Sequence, residues 1–168
     1  HEQWDTNTAI LAGDEMIALA YRSLLKTTQG ILPRIVRVFT EAFVEVCEGQ
    51  GMDKEFESRD DVTVDHYLRM ILKKTARVIS AAAEIGGLIG DGSPARVKAL
   101  KTFGEHLGIA FQINDDLLDI AGNTEEFGKI IGGDVREKKK TFLFLTALER
   151  ANEEDRKFLL QLNKTGDV

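Results

Sequence analysis

The run from Pro94 to Ile120 is the feature that most constrains this chain, because its apolar and polar residues separate cleanly only on a helix. It starts at Asp91-Gly92-Ser93-Pro94, a boundary with Ser93 as N-cap and Pro94 in the first turn. At about 100° per residue, Gln112, Asp115, Asp116 and Asp119 near its end fall on one stripe. Leu107, Phe111, Ile113, Leu117, Leu118 and Ile120 cover most of the remaining circumference. No Lys or Arg interrupts the acidic stripe, and like charges one turn apart repel. The C-terminal end of a helix is itself partly negative. Three carboxylates placed there are doubly disfavoured unless a cation joins them. Hard oxygen ligands suit Mg²⁺, which typically takes one or two carboxylates together with phosphate oxygens. The competing reading is the wet face of an amphipathic helix. Other polar faces mix signs, as in Lys98, Lys101 and Glu105, and Gly108 leaves room beside the stripe.

Helical periodicity continues on both sides. Ile10, Leu11, Ile17, Ala18, Tyr21, Leu24 and Leu25 predict a first helix from Thr8 to about Lys26, with Thr6, Asn7 or Thr8 as cap. Asp14 falls on its apolar stripe, where a carboxylate needs a partner; a structural hydrogen bond to a neighbouring helix is the expectation. Gln29-Gly30 breaks the chain, and Pro33 opens a second helix whose apolar face is Ile35, Val36, Phe39, Phe43, Val46 and Cys47. Gly49-Gln50-Gly51 is expected to stop it, leaving 52–61 as an acidic loop. Thr63 caps a long third helix from Val64 to Ile89, with the stripe Leu68, Ile71, Leu72, Thr75, Ile79, Ala82, Gly86 and Ile89. Its small residues, Ala81-Ala82-Ala83 and Gly86-Gly87, favour close packing over a cavity. A short helix from Thr141 to Ala151 and a last one capped by Asn152 complete the series.

Residues 121–133 form a Gly-rich connection with Gly122, Gly128, Lys129, Gly132 and Gly133. Asp134 and Arg136-Glu137-Lys138-Lys139-Lys140-Thr141 come next. Glycines let backbone amides face an anion, and lysines supply point charges for phosphate. Alone this is a solvated basic turn, without the spacing of a P-loop. After an acidic helix end it suggests metal and diphosphate held between carboxylates and lysines.

The net charge of −6 argues against a nucleic-acid surface. The single Cys47 rules out an internal disulfide framework and makes cytoplasm the default. No signal peptide or membrane-length apolar run is present. His1, His66 and His106 are scattered, which disfavours zinc. With only 2 Pro, the expected fold is all-α: one helical domain over 1–168, an antiparallel bundle.

Together these signals resemble the trans-isoprenyl diphosphate synthases, or polyprenyl synthetases. Phe111-Gln112-x-x-Asp115-Asp116-x-x-Asp119 resembles that family's second aspartate-rich motif. Gly128-Lys129-x-x-Gly132-x-Asp134 with Lys139 and Thr141 resembles the loop after it. Lys74-Thr75, Gly49-Gln50-x-x-Asp53, Ala12-Gly13-Asp14 and His1 are similar to further family segments. The resemblance implies an isoprenoid-synthase bundle, truncated at both ends, and a Mg²⁺-dependent (or Mn²⁺-dependent) prenyl transfer. An allylic diphosphate ionises and isopentenyl diphosphate attacks the cation. It further implies metal ligation by Asp115, Asp116 and Asp119, diphosphate contacts from Lys74, Lys129 and Lys139, cation-facing dipoles from Thr75 and Gln112, and a homodimer. Departures are the absent first aspartate-rich motif, Lys138 where the family often has Gly, and Phe144 where it often has Pro. The chain alone is therefore expected to be weak or inactive. Alternatives are a non-catalytic partner subunit, a terpene cyclase-like protein, or a plain helical bundle.

Overall fold

The computed structural model describes residues 4–122 and 132–165, the side chains of 164 and 165 excepted. Its elements are helices throughout: α1 (Thr6–Leu24), α2 (Leu32–Phe56), α3 (Val64–Ile71), α4 (Arg77–Ile89), α5 (Pro94–Ala121), α6 (Gly133–Arg136), α7 (Phe142–Arg150) and α8 (Glu153–Thr165). Leu72–Ala76 joins α3 to α4 as a single π-helical turn, so 64–89 is one helix with a bulge in it. Among the described residues no helix is long and apolar enough to cross a membrane.

The starts of the helices obey local chemistry. Thr63 and His66 form a reciprocal box: the His66 amide donates to Thr63 Oγ1 at 3.2 Å, and the Thr63 amide donates to His66 Nδ1 at 3.3 Å. Ser93, Thr141 and Asn152 accept from the amides of Arg96, Phe144 and Asp155. The first helix is capped by Asp5, ahead of the three residues expected, because its carboxylate reaches the amides of both Asn7 and Thr8.

Two apolar clusters hold the helices. Ile35, Val38 and Ala42 of α2 meet Ala81 and Leu88 of α4 and Val97 of α5. Phe56, Val62, Tyr67, Met70 and Ile71 meet Leu145 of α7. Ile35 and Ile71 are essentially fully buried, each worth roughly 1.5–3 kcal/mol of transfer free energy.

Three expectations are corrected. Gly49-Gln50-Gly51 does not stop α2, which runs on to Phe56. A Cβ on Gly49 would lie 2.4 Å from the Lys74 amide nitrogen, so this glycine marks a close helix crossing. The long stripe on 64–89 is not one buried face. The π turn adds a residue and rotates the later turns of the helix by about 100°. Tyr67, Met70 and Ile71 are buried before it, Ala76 at its end, Arg77, Ser80 and Ala81 after it, and Ala82, Gly86 and Ile89 lie outside that buried face. Asp14 is not in a core: α1 buries no residue, and Asp14 is exposed.

Close packing and a cavity both occur along α4, on different faces. A Cβ on Gly104 would meet Ser80 Cα at 2.6 Å, and one on Gly87 would meet Leu100 at 2.8 Å. On the other side Phe43, Val46, Val78, Ala82, Ile85 and Gly86 are among the residues lining an apolar groove of about 630 Å³ between α2 and α4.

Candidate active site

The acidic stripe and the lysine run converge on a cavity of about 210 Å³. Gln112, Asp115 and Asp116 line it from α5, Lys74 from the π turn, Tyr67, Met70 and Ile71 from α3, Asp53 from α2, and Asp134, Lys139, Lys140 and Thr141 from the segment before α7.

Two glycines shape the corner that holds Lys74 and Thr75. Gly49 brings α2 onto the Lys74 backbone. Gly108 brings α5 onto the other side of the turn, where a Cβ would lie 2.3 Å from Ala76 Cα. One turn beyond Gly49, Asp53 reaches the Lys74 ammonium at 2.6 Å. The Gly-Gln-x-x-Asp segment therefore works as a unit: the glycine allows contact, and the aspartate aims the lysine. Gly108 does leave room beside the acidic stripe, but the backbone of the π turn fills that room.

The three aspartates have different surroundings. Asp115 lines the cavity. Asp116 is 4% exposed and accepts three hydrogen bonds: from the Tyr67 hydroxyl at 2.6 Å, Gln112 Nε2 at 3.1 Å and the Phe142 amide at 3.1 Å. Burial, with the like charge of Asp134, pushes its carboxyl above the usual range, against the lowering effect of those donors. Asp119 is buried and accepts from the Asp134 amide at 3.0 Å, while its carbonyl accepts from the Gly132 amide at 2.8 Å. It fastens the end of α5 to the start of α6. Gly132 has φ 77, which glycine adopts without strain.

On the basic side, Lys139 pairs with Asp134 at 2.8 Å and Glu137 at 2.9 Å. Those carboxylates hold its ammonium pKa well above the ordinary lysine value, against desolvation. Lys140 Nζ donates to Asn163 Oδ1 and lies 5.6 Å from the centre of the Phe144 ring. Lys138 has φ 59, the left-handed conformation that favours the glycine expected at this position. Lys129 lies outside the described residues, as do Gly128 and His1.

Thr75 Oγ1 donates to Gln112 Oε1 at 2.9 Å, joining the two predicted dipoles. In sequence Thr75 stands between Lys74, which lines the acidic cavity, and Val78 and Ala82, which line the apolar groove. The sequence motifs include Asp53 and Asp134 but do not reveal their ion pairs. The Asp53 spacing, one turn after Gly49, is a usable signal. Tyr67 escapes sequence reasoning altogether: among aromatics in a core, nothing marks one whose hydroxyl meets a carboxylate.

Hard carboxylate oxygens, with no thiolate or imidazole among the residues that line the cavity, fit Mg²⁺ or Mn²⁺. Among the described residues no three acidic, histidine or cysteine groups are gathered into a ready-made metal site. The fit is that of an ion held through Asp115 and completed by phosphate oxygens and water. The buried carboxylate of Asp116, with a like charge beside it, adds a field that favours a cation.

The described residues form an all-α bundle that carries a charged cavity and an apolar groove. Similarity to known proteins gives the family. The chain matches the polyprenyl synthetase family over residues 1–167 and belongs to it. It is 40% identical to the short chain isoprenyl diphosphate synthase of Methanothermobacter thermautotrophicus, over 99% of this chain and 52% of that protein. It is also 40% identical to the geranylgeranyl diphosphate synthase of Saccharolobus solfataricus, over 95% of this chain and 49% of the relative. Among solved structures, a geranylgeranyl pyrophosphate synthase superposes with a TM-score of 0.91 at 40% identity, over 97% of this chain and 49% of the other. The synthetase from Pyrococcus horikoshii Ot3 gives 0.89 at 38%, over 96% and 50%. The chain spans about half the length of the curated relatives it matches.

Proposed function

We propose that this chain carries the diphosphate-ionising part of a prenyltransferase that condenses an allylic diphosphate with isopentenyl diphosphate. The observation that carries the reading is the juxtaposition in one cavity of Asp115 with Lys74 and Lys139, each lysine aimed by its own carboxylate. Lys74 and Lys139 bind the leaving diphosphate. Departure of the allylic C–O bonding pair with that group develops positive charge on carbon, and fixed dipoles aimed at such charge are usually the largest catalytic term. Thr75 and Gln112 are those dipoles. The groove lined by Val78, Ala82 and Gly86 takes the hydrocarbon chain.

Asp115 would hold Mg²⁺ from the protein side, and the bound ion supplies neutralisation of the diphosphate charge. Asp116 and Asp119 act through their protein hydrogen bonds, a division of labour that the stripe alone does not suggest. A homodimer, expected from the resemblance, and a cytoplasmic location, the default from the single cysteine, belong to the same proposal.

The test is equilibrium binding of inorganic diphosphate at fixed Mg²⁺ to the chain and to Lys139→Ala and Asp115→Asn. Loss of one charged contact costs about 1.5–3 kcal/mol, a weakening of roughly tenfold or more. Binding in the parent chain that neither substitution changes would refute the assignment.

A further inference from the structure

Asp116 lies in the acidic stripe, yet its hydrogen-bond partners are donors from the protein itself. The Tyr67 hydroxyl and the Phe142 amide share Oδ2, and Gln112 Nε2 takes Oδ1. A carboxylate can only accept, so the Gln112 amide must turn its NH₂ toward Asp116. Its Oε1 then faces the other way, where Thr75 Oγ1 donates at 2.9 Å. A hydroxyl has one proton. With that proton committed to Gln112, Thr75 can present only lone pairs to anything bound beside it. Reversing the amide would aim NH₂ at Thr75, occupy a lone pair, and free the hydroxyl proton to point outward.

We propose that Tyr67 and Asp116 are positioning residues that set the orientation of the Gln112 amide and thereby fix the Thr75 hydroxyl with its negative end toward the carbon that becomes cationic. The catalytic meaning rests on the prenyl-transfer reading above. The amide orientation rests on the hydrogen bonds alone.

The identity of the donor matters. Tyr67 is 2% exposed, so the carboxylate is held by a buried neutral group. A lysine or arginine in its place would add positive charge beside a developing cation. Burial and the Asp116 carboxylate push the Tyr67 hydroxyl above its ordinary pKa, which keeps it a donor. The ring packs 6.1 Å from that of Phe142, and the Phe142 amide opens α7, so one carboxylate ties α3, α5 and α7 to the amide it orients.

Two variants and two readouts test this. The variants are Tyr67→Phe and Asp116→Asn. An asparagine keeps one oxygen for Tyr67 and Phe142 but turns an NH₂ toward Gln112, which drives the amide to reverse. The first readout is solvent exchange of the Gln112 side-chain amide protons by ¹⁵N-resolved NMR. The second, at fixed Mg²⁺, is the ratio of dissociation constants for methylene bisphosphonate and for a bisphosphonate bearing a protonated alkylamine. In Tyr67→Phe the amide is expected to exchange about tenfold faster, and the preference for the cationic probe to fall about tenfold. In Asp116→Asn the preference should vanish. Exchange and preference at parent values in either folded variant, or equal weakening of both probes in Tyr67→Phe, would overturn the proposal. If Tyr67→Phe does not fold, Asp116→Asn decides. A parent chain that binds neither probe would sink the prenyl-transfer reading, while amide exchange would still decide the orientation.

Discussion

Gly108 and Gly13 both sit in the middle of helices, and their surroundings are opposite. A Cβ on Gly108 would lie 2.3 Å from Ala76 Cα, whereas one on Gly13 would meet nothing within 4 Å. The same contrast separates the regions around them. At the π turn, α2 and α5 press backbone against backbone and deliver Lys74, Thr75 and Gln112 to one corner. Along α1, Ile10, Leu11 and Met16 are 57%, 67% and 69% exposed. Tyr21 supplies its clearest attachment, with a hydroxyl 2.8 Å from Thr40 Oγ1 and a ring 5.1 Å from that of Phe39. Both regions carry a helical period of 3.6. The period says which face of a helix is apolar. It does not say what covers that face.

The sharpest way to break this comparison is to make one substitution in both places. Gly108→Ala pushes a methyl into backbone that cannot swing aside, and overpacking of this kind costs about 1–3 kcal/mol or more. The urea midpoint should fall accordingly. Next is the buried phenol. Tyr67 has its pKa raised in the folded chain from the ordinary 10.0. Its contribution is present in full below that value and is lost as pH rises toward the folded pKa, because the unfolded chain ionises first. The urea midpoint of the parent should therefore drop more steeply above pH 10 than that of Tyr67→Phe; parallel alkaline limbs would contradict the assignment.

Smaller effects of opposite sign come next. Lys138→Gly relieves a left-handed backbone at φ 59 and should stabilise by about 1 kcal/mol, read as a raised midpoint. Gly13→Ala should stabilise by about 0.5–1 kcal/mol through helix propensity. Destabilisation by Gly13→Ala would mean that α1 is packed more tightly than the comparison holds.

Much of this is legible in the sequence because it is local. Thr63, Ser93, Thr141 and Asn152 announce helix starts through one or two hydrogen bonds to nearby amides, and residue types suffice to place them. The acidic stripe, Lys74-Thr75 and Lys139 are likewise placed together by spacing and resemblance. The hidden features depend on partners distant in sequence. Gly49 reads as a helix breaker because its low propensity is local, while the Lys74 backbone that requires it lies on another helix. The π turn shifts a hydrogen-bond register and leaves no mark in the pattern of apolar residues. Asp115, Asp116 and Asp119 look equivalent on a helical projection. Only Tyr67, Phe142 and Asp134, brought up by other elements, make one of them a pivot and another a clasp. Lys138 is the reverse case: a departure from the family pattern, visible in the sequence, whose physical cost emerges only in the backbone angle.

At the centre stands the proposal that the corner of Asp115, Lys74 and Lys139 is a metal-dependent diphosphate site within this chain. The most direct measurement is the chain's thermal midpoint with Mg²⁺ alone, with a bisphosphonate alone, and with both. A ligand at a hundred times its dissociation constant stabilises the folded state by about 2.7 kcal/mol. A rise that needs both components is the predicted result. No rise with both present, or a rise with the bisphosphonate alone that Mg²⁺ does not change, would contradict the claim.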